Sequence, residues 1–115
     1  MLQFKVCLLG APAVGKTSLV KRFVHGVFSD RYHSTVGVKI DKKVLQIGQR
    51  ELALMLWDFQ GEDERTPIRD SYLRGLDGYI LVIDGTRPAT VVAAERAHER
   101  VVRLHDGRPY VLAFN

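Results

Sequence analysis

The sequence predicts an α/β fold built on an open, mostly parallel sheet, and two observations carry that expectation. Short apolar runs of strand length (Phe4–Leu9, Tyr79–Ile83 and Tyr110–Phe114) alternate with stretches of helical character, Lys16 to about Val24 and Pro88–Leu104. Between the first run and the first helix lies GAPAVGKT, residues 10–17. In sheets of this kind ligands sit beyond the carboxyl ends of the strands, and the loop lies in that place.

The bulk properties narrow the class. A chain of 115 residues allows one domain, 1–115, and 46% hydrophobic with 26% charged residues describes an ordinary globular chain. No apolar run approaches the roughly 20 residues needed to cross a bilayer. The run in MLQFKVCLLG is too short, and too directly followed by glycine-rich sequence, to be a good signal peptide. A single cysteine, Cys7, excludes an internal disulfide and a thiolate metal site, and it suits a reducing cytoplasm. The net charge of +4 is spread along the chain, without the block of like charge that nucleic acid or a membrane surface would favour. The four histidines lack metal-ligand spacing. His98 and His105 are expected on the solvent side of one helix and just past its end.

Each element follows from local chemistry. Phe4–Leu9 reads as a buried strand. The helix from Lys16 has Gly26 near its end, and Val27–Gly37 is polar and mixed, as in a loop. Val38–Ile47 and Glu51–Trp57 read as strands, and the glycine of IGQR joins them as an antiparallel hairpin. DFQGEDERT, residues 58–66, is acidic and loop-like. Thr66 before Pro67 starts a helix that Gly75 ends. Tyr79–Ile83 is continuously apolar, as a central parallel strand should be. Val91, Ala94, Val101, Val102 and Leu104 recur at helical spacing, DGRP turns the chain, and Tyr110–Phe114 opens another apolar strand.

Gly10, Gly15, Lys16 and Thr17 fit the pattern G-x-x-x-x-G-K-[ST]. Glycines let the backbone close on phosphate oxygens, successive N–H groups point inward, and the helix start adds positive partial charge. Lys16 would reach the β and γ phosphates, and the Thr17 hydroxyl would hold Mg²⁺. Pro12 has no N–H, so donors must come from Ala13 onward. The binding residues are therefore Gly10, Ala13, Val14, Gly15, Lys16, Thr17 and Ser18. A chance glycine turn with a structural lysine is the plainer alternative.

Three further segments fall in order: YHSTVGVKI (Tyr32–Ile40), LWDFQG (Leu56–Gly61) and YLRGLDGYILVIDGT (Tyr72–Thr86). With them the sequence resembles the Ras superfamily of small GTPases over its whole length, most closely the Rab-type members; WDFQGEDE is also similar to bacterial Ras-like proteins. The resemblance implies a P-loop NTPase fold with a doubly wound, mostly parallel sheet, and a switch that binds GTP or GDP with Mg²⁺ in the cytoplasm. It implies that Thr35 binds Mg²⁺ and senses the γ phosphate, and that Asp58 holds Mg²⁺ through a water. The Gly61 N–H would touch the γ phosphate, Phe28 would pack beside the guanine, and Asn115 would be the first residue of the N-K-x-D base-reading motif. Protein effectors and regulators would bind through residues 28–40 and 58–75. Thr35 could instead be a turn hydroxyl, Asp58 a cap and Phe28 a core aromatic. Tyr32 and Trp57 read as packing residues, and Arg69, Arg74 and Arg87 as solvated ones.

The chain departs from the family pattern in two ways. The family usually places Gln after the D-x-x-G glycine; here the residue is Glu62, and Gln60 lies on the other side of Gly61. The catalytic set implied is Lys16, Gly61 and Glu62. A carboxylate there lacks the amide donor, is repelled by phosphate and is a weak base, so hydrolysis is expected to be slow. The sequence also stops at Asn115, within the base-reading motif, and carries no C-terminal lipidation signal. A C-terminally truncated, incomplete domain is therefore expected, with Tyr110–Phe114 left as an apolar edge strand. The competing functions are a non-catalytic nucleotide-binding or interaction module, such as a pseudo-GTPase or inactive fragment, and a different phosphate-loop enzyme such as an ATPase or kinase.

Overall fold

A computed structural model describes residues 1–24, 30–35, 37–59 and 68–115, with the backbone alone over 30–35. Six strands form one sheet: β1 (Leu2–Leu9), β2 (Asp30–Thr35), β3 (Val38–Ile47), β4 (Arg50–Phe59), β5 (Gly78–Ile83) and β6 (Tyr110–Phe114). Their order is β2-β3-β4-β1-β5-β6. The strands β4, β1, β5 and β6 run parallel, and β2 and β3 are added antiparallel at one edge.

Two helices cover opposite faces. Helix α1 (Lys16–Val24) packs Val20 and Val24 on Leu8 of β1 and Leu56 of β4. Helix α2 (Ala89–Leu104) sets Ala94 and Val101 into a larger core with Cys7, Leu9, Phe59, Leu81 and Ile83. Alternation along β1 explains the split. Leu8 faces α1 while Cys7 and Leu9 face α2, so a strand buried on both faces has no polar residue at its inner end. Burial also pushes the Cys7 thiol up to about 12.

The expected hairpin is present. Ile47 pairs with Arg50 across a two-residue turn whose Gly48 takes φ 61°, a left-handed value of the kind such turns require. Three other expectations need correction. The loop expected over 27–37 is a strand over 30–35, because β3 has an open edge and backbone pairing asks nothing of side-chain polarity. The helix expected from Thr66 to Gly75 is, among the described residues, a 3₁₀ helix over Asp70–Leu73 only. Bonds from Tyr72 N to Arg69 O and from Leu76 N to Leu73 O keep the tighter three-residue repeat, which buries both Leu73 and Leu76. Arg100 of α2 fastens this segment, donating to Asp70 Oδ1 from Nε and Nη2 (2.8 and 2.6 Å) and to the Ile68 carbonyl.

The helix that the apolar spacing from Val91 to Leu104 predicts is present as α2. Ala94 and Val101 are buried, but Val91, Val102 and Leu104 are exposed, and Thr90 is buried in their place. Its hydroxyl donates within the Asp84–Arg87 turn and accepts from Asp84 N at 3.0 Å, which fixes the helix entry. Finally, His98 faces the sheet rather than solvent. Its Nδ1 shares a hydrogen bond with the Tyr79 hydroxyl at 2.7 Å, and its ring lies 4.7 Å from that of Tyr110. Burial raises the Tyr79 pKa, with Tyr110 adding to the effect.

Candidate functional site

The loop between β1 and α1 is shaped by backbone that few residues tolerate. Gly10 takes φ 151°, and a Cβ there would lie 2.5 Å from the Val82 carbonyl oxygen. Gly15 takes φ 101°, and a Cβ there would lie 2.2 Å from Asn115 Nδ2. Gly10 is therefore required by close approach to backbone as well as by torsion, and Gly15 by torsion, since the Asn115 side chain could move aside. Ala13, which has a side chain, takes φ 59°, a left-handed value that costs roughly 1–2 kcal/mol for an L-residue. Strain of this kind must be held by the surroundings.

The loop carbonyls show how it is held. Lys16 Nζ donates to Gly10 O and Ala11 O, both at 2.9 Å. Arg87 Nη2 donates to Pro12 O at 2.9 Å, and Asn115 Nδ2 donates to Val14 O at 2.9 Å. Leu19 N takes Gly15 O at 2.9 Å as the first turn of α1 begins. In a trans peptide the C=O and the following N–H point to opposite sides. Turning the Pro12 and Val14 carbonyls toward Arg87 and Asn115 therefore turns the Ala13 and Gly15 N–H groups the other way.

A cleft of about 340 Å³ opens beside this loop, lined by Pro12, Ala13, Gly15, Lys16, Thr17, Ser18, Asp58 and Phe59. Lys16 is only 6% exposed, a burial that an ammonium sustains only with good acceptors. Across the cleft the end of β4 presents Asp58, 1% exposed, whose Oδ2 accepts from Thr17 Oγ1 at 2.7 Å. The other carboxylate oxygen, Oδ1, is buried with no hydrogen-bond partner among the described residues. A buried orphan oxygen is expensive as pure structure. Beside a threonine hydroxyl, it is the hard-oxygen set that a magnesium ion takes, so these residues fit the ion that the sequence implied.

The structure thus brings together Ala13, Gly15, Lys16, Thr17, Ser18 and Asp58 around one cleft, while Gly10 meets it through its bond from Lys16 and Val14 is buried. Asn115 binds the loop itself through Val14. Thr35 lies in β2, paired with Val38, and its side chain is outside the described residues. Phe28, Gly61 and Glu62 also lie outside them, as do His25, Gly26, Val27 and Gln60. Sequence reasoning took Arg87 as solvated, and it is 43% exposed, but missed its bond to Pro12 O and the left-handed Ala13. A contact between residues 12 and 87 leaves no local pattern, and alanine gives no hint of a positive φ.

No described helix is long and apolar enough to cross a membrane, and the described residues contain no cluster of His, Cys, Asp and Glu side chains suited to a metal. Residues 5–115 match the family model described as "Ras of Complex, Roc, domain of DAPkinase". The chain is 33% identical over 94 residues to the Ras-related protein Rab-32C of Dictyostelium discoideum, covering 82% of this chain and 42% of that protein. It is 40% identical over 94 residues to the Ras-related protein Rab-7L1 of Homo sapiens (81% and 46%). It is 41% identical over 87 residues to the Ras-related protein RABC1 of Arabidopsis thaliana (76% and 41%). The chain spans less than half the length of these curated relatives.

Proposed function

The chain belongs to the Ras-like Roc family, and from that premise we propose that it forms the phosphate-binding part of a cytoplasmic GTP switch that hydrolyses GTP slowly. The observation that carries this reading is Asp58, a buried carboxylate that hydrogen-bonds Thr17 through one oxygen and leaves the other without a partner at the cleft wall. A cation held there would satisfy that oxygen.

In this reading the Lys16 ammonium exchanges the Gly10 and Ala11 carbonyls for phosphate oxygens, and the N–H groups of Ala13 and Gly15 donate to the same anion. Thr17 and Asp58, with Thr35, hold Mg²⁺, which supplies charge neutralisation on the phosphates when bound. Lys16 and the loop amides stabilise the charge that spreads over the transferred group as water attacks in line. The Gly61 N–H adds a further donor. Glu62 stands where an amide would orient that water; its carboxylate is repelled by phosphate, which keeps intrinsic turnover low. An arginine supplied by a partner would add about 10³–10⁵-fold. Phe28 and Asn115 belong to the guanine side. Residues 28–40 and 58–75, which flank the γ-phosphate position, are the surfaces for effectors and regulators.

The test is a thermal-melt titration with Mg²⁺-GDP, Mg²⁺-GTP and Mg²⁺-ATP, with Lys16→Ala as control. Ligand at about 1,000 times its dissociation constant should add roughly 4 kcal/mol. The expected result is stabilisation by both guanine nucleotides that Lys16→Ala abolishes. An equal shift with ATP overturns the guanine assignment, and no shift with any of the three overturns the nucleotide reading.

A further inference from the structure

The geometry points to Arg87 as a positioning residue that aims the Ala13 N–H at bound phosphate, an inference that rests on the nucleotide reading above. Pro12 has no N–H, so Ala13 is the first amide of the loop tip that can donate into the cleft. That amide shares a peptide plane with the Pro12 carbonyl, and among the described residues no peptide is cis. Gripping the Pro12 oxygen on one side therefore fixes the direction of the Ala13 hydrogen on the other. Arg87 Nη2 grips it at 2.9 Å.

The grip is built rather than incidental. Arg87 Nε lies 3.4 Å from Asp84 Oδ2. The other oxygen of Asp84 accepts from Thr86 N at 2.9 Å and from Thr86 Oγ1 at 2.6 Å. The Thr86 hydroxyl bond leads the interactions that hold the Asp84 carboxyl below its usual pKa, with Arg87 adding to them. Asp84 directly follows β5, so the guanidinium is referenced to the central sheet. The strain at Ala13, φ 59°, explains why the loop tip needs an outside hold. Lys16 and Asn115 secure Gly10, Ala11 and Val14, and Arg87 secures Pro12 between them.

The test uses Arg87→Ala, Arg87→Lys and Asp84→Asn in two measurements. Asn at 84 keeps acceptors for Thr86 and removes the charge facing Arg87. In the nucleotide-free chain, amide exchange at Ala13 should quicken in Arg87→Ala while the melting midpoint stays within about a degree, since Arg87 is 43% exposed. With nucleotide, release of a fluorescent GDP should be about three- to tenfold faster in Arg87→Ala. Arg87→Lys should fall between that variant and the parent, and Asp84→Asn should add nothing once Arg87 is gone. Unchanged exchange at Ala13 overturns the proposal whatever the parent chain binds, as does unchanged release. If the parent retains no nucleotide but exchange quickens in Arg87→Ala, the grip on the loop stands and the nucleotide reading falls.

Discussion

β1 and β6 share an apolar composition and a parallel setting, yet they end in opposite environments. Cys7, Leu8 and Leu9 of β1 are at most 2% exposed, whereas Tyr110, Val111, Leu112 and Phe114 of β6 stand at 49%, 61%, 49% and 70%. β1 has a strand on each side and a helix over each face. β6 has β5 on one side only, and an open apolar groove of about 260 Å³ lies between it and α2, bounded by Val91, His98, Leu112 and Phe114. Position in the sheet, and not composition, decides which apolar strand becomes core. The same position places the phosphate loop at the carboxyl end of a strand that is held on all sides.

The sharpest test of this contrast pairs two identical truncations. Leu8→Ala should cost about 2–5 kcal/mol by urea unfolding, because a cavity is left in a closed core. Leu112→Ala should cost under about 1 kcal/mol, because half of its side chain already meets water. Equal losses would mean that β6 is as well covered in solution as β1.

Asp58→Asn probes the site end. Removing the charge from a carboxylate with an orphan oxygen should change the stability of the ligand-free chain by no more than about 1 kcal/mol, in either direction. Magnesium-dependent GDP binding, read by the same melts, should fall at least tenfold. Large destabilisation with binding intact would mark Asp58 as structural.

The 115-residue chain, taken alone, should self-associate through the edge of β6, since unpaired strand edges template pairing. Val111→Lys should leave the unfolding free energy within about 0.5 kcal/mol and lower the apparent mass by light scattering at high concentration. An effect confined to alkaline pH concerns Cys7. Its pKa is raised from 9.0 to about 12, so the unfolded chain releases that proton first. The contribution is fully present below pH 9 and is lost as pH rises toward 12. Cys7→Ser should flatten the alkaline limb of the stability curve, and thiol reagents should label the native parent only as fast as it unfolds.

The sequence reveals what local order specifies. The phosphate loop, α1, the β3–β4 hairpin and the doubly wound sheet were legible because spacing along the chain is itself the signal. Asp58 was legible through its motif, but its orphan oxygen was not, since burial depends on what packs from elsewhere. Periodicity found α2 but not that Thr90 and His98 turn inward, where hydrogen bonds await them. β2 escaped notice because Asp30–Thr35 shows no apolar alternation, and the Arg87 grip because its partners are distant in sequence.

The parallel setting of β1 also has a kinetic side. Leu2 pairs with Leu52 and Val6 with Gly78, so the first strand synthesised must wait for two later ones. The β3–β4 hairpin needs only its own turn and can close first. The phosphate loop, hung from β1, is thus set in a late step of assembly, and its amides should be among the last to gain protection in pulse-labelled refolding.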